Sequence, residues 1–113
     1  MNPADQLDWQ LKATGLEFVR EYQFHEPGEG EKRRKWRFDF ANACAKLAVE
    51  VDGAIWTGGR HTRGSGVLKD CEKYSIAASQ GWRIVRVAPS HVKSGEALQW
   101  VQKALWWKPE AQR

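Results

Sequence analysis

The chain has 113 residues, 42% hydrophobic and 28% charged, with a net charge of +4 and an isoelectric point near 9.3. That length fits a single domain over residues 1–113, and seven tryptophans and four phenylalanines supply large surfaces for its core. No run approaches the roughly 18 apolar residues of a membrane span, no apolar leader opens the chain, and Cys44 and Cys71 form neither a CxxC pair nor a disulfide framework, so a cytoplasmic protein in a reducing compartment is expected.

The first predicted element is a helix over Pro3 to Thr14, with Leu7 and Leu11 four apart and Gly15 as its stop. Phe18 to Phe24 alternates in the manner of a strand. His25 to Lys35 holds Pro27, Gly28 and Gly30 and then the charged run Glu31-Lys-Arg-Arg-Lys35, which reads as an exposed turn with Arg33 and Arg34 as candidate contacts to a nucleic-acid backbone. His25 and His91 have no evident partners and are expected at the surface.

Two apolar strands follow, joined by a short connection at Asn42 to Ala45, and each carries acids. Asp39 lies in the first; Glu50 and Asp52 lie in the second, two apart and therefore on one face. Burying an unpaired carboxylate is costly, so acids in such runs need a reason. Acids converging from neighbouring strands suit a divalent cation, which takes hard oxygen ligands. The plainer readings are a turn or edge carboxylate at Asp39 paired with Arg37, and an ion pair of Glu50 with Lys46 or Arg83.

Gly53 to Gly66 holds five glycines around Arg60, His61, Thr62 and Arg63. Glycines let a backbone approach a ligand closely, and Arg60 and Arg63 are candidates for phosphate contacts. Trp56 in the same loop suits either the core or a base. Val67 to Gln80 is expected to be a helix ended by Gly81, carrying Lys69, Asp70 and Lys73. Trp82 to Val87 follows as a strand, completing a right-handed βαβ unit with its strands parallel. After Pro89 a last helix is expected from about Ser94 to Trp106, with Trp82, Leu98 and Trp100 in the core. Trp106 and Trp107 are adjacent, so they cannot share one helical face; one is expected at the surface, where a homodimer contact is a possible use. The order α-β-β-β-α-β-α describes an α/β fold, a small mixed four-stranded sheet flanked by helices.

Arg37-Phe-Asp39-Phe, Leu47-Ala-Val-Glu50-Val-Asp52-Gly53, Trp56, His61, Asp70, Lys73 and Gly81-Trp-Arg-Ile-Val-Arg86 together resemble the PD-(D/E)XK nuclease superfamily. Within it they are most similar to the branch of very-short-patch-repair endonucleases and related small endonuclease domains. The resemblance implies a restriction-endonuclease-like core and a Mg²⁺-dependent endonuclease acting on duplex or branched DNA, with Mn²⁺ as a substitute ion. Asp39, Glu50 and the main-chain carbonyl of Val51 would be the metal ligands. Phe38 stands in place of the family's proline, and Asp52 in place of its usual lysine. His61 is then the candidate for proton transfer, with Asp52 and Asp70 beside it and Lys73 or Lys69 supplying the missing positive charge. Asp5 or Asp8 would match an acid on the first helix.

No helix-turn-helix or zinc finger supplies sequence readout, so structure-directed or weakly specific cutting is expected. A non-catalytic DNA-binding module on the same fold and an RNA-directed nuclease are the rival readings; the exchange at Asp52 motivates the first.

Overall fold

The computed structural model describes residues 1–53 and 65–109. Its elements are α1 (Pro3–Ala13), β1 (Val19–Gln23), β2 (Arg37–Asn42), β3 (Leu47–Val51), α2 (Ser65–Ser79), β4 (Arg83–Val87), α3 (Pro89–Ser94) and α4 (Glu96–Trp106). The four strands form one sheet in the order β1-β2-β3-β4. The first two pairings are antiparallel, and β3 and β4 are parallel across the α2 crossover, as expected.

The end of the chain differs from expectation. The last helix foreseen from about Ser94 to Trp106 is α4, but a short helix that was not foreseen, α3, precedes it, with Gly95 between the two at φ 89. Pro89 opens α3, where a missing N–H costs nothing and its fixed φ suits the first helical turn. His91 Nδ1 accepts the Ala88 N–H at 2.9 Å and caps this start. At the other end of the chain, Asn2 caps α1 by accepting the Asp5 N–H at 2.8 Å.

The sheet is covered on both faces. Leu7 and Leu11 of α1, Val92 of α3, and Ala97 and Val101 of α4 pack on Phe40, Leu47, Val49 and Val87. On the opposite face Ala77 of α2 packs with Phe24, Phe38, Ala41, Ala48 and Trp82. Residues 47–50 of β3 are all buried, which suits an inner strand covered on both sides. Trp82 meets Phe38 at 5.2 Å between ring centroids and Tyr22 at 5.8 Å. Trp100, foreseen in the core, is 37% exposed against the edge of His91. Both Trp106 and Trp107 are exposed, because the helix ends between them and Trp107 is already extended. No helix among the described residues is long and apolar enough to cross a membrane.

One irregularity shapes the site. In a regular strand residues two apart share a face, yet Phe40 belongs to the α1 side and Phe38 to the α2 side. Their partners on β1 switch with them: Arg20 reaches Asp5 of α1, whereas Tyr22 packs on Trp82. Between these pairs lie Glu21, held at φ 53, and Asp39. The sheet changes face at Asp39, and the β2–β3 ladder stops one residue short of it, at Phe40 opposite Val49.

Candidate active site

One step beyond that last rung, the register would set Asp39 opposite Glu50. With the ladder open there, Asp39 Oδ2 accepts the Val51 N–H at 2.8 Å. This bond replaces the missing strand–strand hydrogen bond and holds the carboxylate at the junction of the two strands.

Glu50 is buried on the α2 face of the sheet. Lys73 and Tyr74 lie four and three residues before the buried Ala77, so the helical repeat turns both toward the sheet. The Tyr74 hydroxyl donates to Glu50 Oε1, and Lys73 Nζ stands 3.4 Å and 3.5 Å from the two carboxylate oxygens. Burial pushes the Glu50 carboxyl above its ordinary range; the Tyr74 hydrogen bond and the Lys73 charge oppose this, and the Asp39 charge adds to it. The Tyr74 hydroxyl is itself pushed above the ordinary phenol range, by burial first and then by its bond to Glu50. It is a donor that stays protonated.

Asp52 lies on the same face as Glu50, and its backbone N–H continues the β3–β4 ladder to Val87 O at 2.8 Å. Arg86 is the register partner of Glu50; its guanidinium pairs with Asp52 and stands 5.5 Å from the Tyr74 ring centroid. Asp39, Glu50, Asp52, Lys73, Tyr74 and Arg86 therefore form one connected polar group on a sheet face that is apolar elsewhere. The plain ion pairs foreseen for Glu50 do not form: Lys46 lies over Trp82, and Arg83 donates to Ala104 O.

Asp70 is exposed on α2 and lines an open groove with Tyr74 and Arg86, while Lys69 is exposed on the same helix. Asp5 and Asp8 are paired with Arg20 and Lys12, on a helix packed against the other face. Arg33 and Arg34, foreseen as backbone contacts, each engage their own chain: Arg33 donates to His25 O, and Arg34 pairs with Glu72. Trp56, Arg60, His61 and Arg63 lie outside the described residues. Two members of the group, Tyr74 and Arg86, had no site role in the sequence reading. Tyr74 was detectable from its position three residues before Ala77, and Arg86 from counting the parallel register.

No group of three or more His, Cys, Asp or Glu side chains able to hold a metal ion occurs among the described residues. Mg²⁺ does not require one, since it is commonly held by one or two carboxylates with water and substrate oxygens completing its shell. Asp39 and Glu50 offer two hard donors, and the Asp39 charge adds to the burial that raises the Glu50 carboxyl. That donor set fits such an ion.

No protein-family model matches this chain, and no curated protein sequence matches it either. Among solved structures, the catalytic domain of the homing endonuclease I-Bth0305I is similar: 23% identity, 92% of this chain and 93% of that chain covered, TM-score 0.62. A likeness at this identity shows that the fold is shared.

Proposed function

We propose that this chain is an endonuclease that hydrolyses DNA phosphodiester bonds at the Asp39–Glu50 site. The observation that carries the reading is the buried Glu50, held by Lys73 and Tyr74, beside Asp39 at the point where two strands part. The fold shared with a homing endonuclease catalytic domain supports it.

Asp39, Glu50 and the Val51 carbonyl would hold Mg²⁺ or Mn²⁺. Such an ion, when bound, polarises a phosphoryl oxygen and lowers the pKa of an attacking water. The protein's own groups do the rest. Tyr74 fixes the orientation of Glu50, and the Val51 N–H fixes that of Asp39. Lys73 holds a positive charge against Glu50 and would there offset the negative charge that grows on the phosphoryl oxygens during attack, in the part that the family gives to its lysine. Arg86 neutralises Asp52, so this third acid does not add its repulsion to the pair. His61, with Asp52, Lys73 or Asp70, would handle the proton transfers. A core of this size leaves little surface for sequence readout, which favours structure-directed or weakly specific cutting.

The test is nicking of supercoiled plasmid and of branched duplexes with Mg²⁺ or Mn²⁺. Wild type is expected to cut, and Asp39→Ala and Glu50→Ala to lose at least ~100-fold in rate, the scale of losing an electrostatic contribution to the transition state. Full activity in either variant refutes the assignment. The rival reading, a non-catalytic binding module, draws on one observation: Lys73 and Tyr74 already satisfy Glu50. DNA affinity unchanged in EDTA, with no Mn²⁺ binding by calorimetry and no cutting, would favour it.

A further inference from the structure

The loop between β1 and β2 is strongly charged. Lys32, Arg33, Arg34, Lys35 and Arg37 are all exposed and lie within six residues of one another. Like charges at that density repel, and a loop that carried them only for solubility would be left loose. This loop is tied down instead. His25, expected at the surface, is 4% exposed. Its Nδ1 accepts the Arg34 N–H at 2.8 Å, and its carbonyl accepts from Arg33 Nη1 at 2.6 Å. The Trp36 ring stands edge-on to His25 at 5.4 Å and lies parallel to Phe24 at 6.0 Å. The Arg34 guanidinium covers Trp36 at 4.1 Å and pairs with Glu72 on α2. Gln80, just past α2, exchanges two hydrogen bonds with the backbone of Glu26.

The cations therefore divide by role. Arg33 and Arg34 are spent on the loop's own shape, and Arg37 stands 3.8 Å from Glu21. Lys32 and Lys35 are exposed and, among the described residues, have no hydrogen-bond or ion-pair partner. The clamp that orders the loop runs to Glu72, and the next residue on α2, Lys73, holds Glu50. A rigid element that presents unpaired ammonium groups, anchored on the helix that also serves the carboxylate site, matches a partner carrying regularly spaced anionic groups.

We propose that the β1–β2 loop is a prebuilt, sequence-independent contact for the backbone of duplex DNA, with Lys32 and Lys35 touching phosphates while Arg33, Arg34 and His25 hold the loop's shape. It rests on the reading of this chain as a DNA-acting protein, and it assigns the surface that seats the duplex. The experiment measures binding of a fluorescein-labelled duplex by anisotropy across a KCl series in EDTA, so that cutting plays no part. Each lost phosphate contact makes the plot of log K against log salt less steep by about 0.9, so Lys32→Ala/Lys35→Ala is expected to lose about 1.8 from the slope. Lys93→Ala/Lys103→Ala removes the same charge from exposed positions on α3 and α4 and should leave the slope within about half that change. Circular dichroism checks that both double variants fold.

An unchanged slope in the loop variant, an equal loss in the control pair, or wild type that binds no duplex at low salt each overturns the proposal. A protein that binds with the expected slopes but cuts no DNA retains this inference and refutes the nuclease reading. A protein that cuts normally with the loop slope unchanged does the reverse.

Discussion

Replacing Lys73 by Met tests whether the polar group around Glu50 is held together as described. Lys73 and Glu50 are 15% and 12% exposed at their side chains, so the pair is largely out of water. Breaking a well-made buried pair by removing one partner costs about 3–5 kcal/mol. Here the N···O distances of 3.4 Å and 3.5 Å are long for a charge-assisted bond, and Tyr74 stays in place to donate to Glu50. Both facts pull the cost to the lower end. A second limit is set by the carboxyl itself, which can escape by taking up a proton. At pH 7 that costs about 1.4 kcal/mol for each pH unit above the ordinary 4.5, a ceiling of about 3.4 kcal/mol. The expected loss at pH 7 is therefore about 2–3 kcal/mol, which for a chain of this length is about 8–12 °C in Tm.

The sign of the pH dependence follows from the same carboxyl. Burial raises the Glu50 carboxyl in the fold, so the folded chain binds its proton more tightly than the unfolded chain does. Its charge costs nothing below the unfolded value of 4.5, and the cost grows as pH rises through the folded value. Removing Lys73 enlarges that cost, so the penalty should shrink toward zero on acidification. Thermal melts in EDTA at several pH values, run with the Glu50→Gln and double variants, measure it. A penalty for Lys73→Met that is independent of pH, or as large in the Glu50→Gln background as in wild type, would show that Lys73 acts through packing and not through Glu50.

Two further outcomes are expected. Glu50→Gln should melt above wild type at pH 7 and equal to it near pH 4, because the raised carboxyl is then protonated in wild type too; under the proposed function the same variant cuts no DNA, and a lower Tm at pH 7 would contradict the raised pKa. Gly95→Ala should cost about 1–2 kcal/mol, seen in urea unfolding, because Gly95 sits at φ 89 with open space around its Cα and the penalty is backbone strain alone.

The sequence on its own determined the element order, the mixed sheet and the two acidic strands. The alternation of Phe18 to Phe24, the apolar runs around Asp39 and Glu50 and the helical spacing of Leu7 and Leu11 report backbone dihedrals and buried faces, which are local properties of the chain. It also placed Lys73 among the candidates near Glu50. It did not show α3, since a proline that interrupts one element can equally open a helix, and the cap made by His91 on Ala88 decides which. The tertiary structure decided which side chains meet. Glu50 takes Lys73 and Tyr74 instead of Lys46 or Arg83, because the crossover lays α2 over the Glu50 face of β3. Asp39 reaches the Val51 N–H only because the sheet changes face beside it. His25 lies inside because the β1–β2 loop folds over it, and Arg33 and Arg34, foreseen as DNA contacts, support that loop. Period and composition set what each residue offers along its own element, while register, crossover and the packing of distant segments set what it finds there.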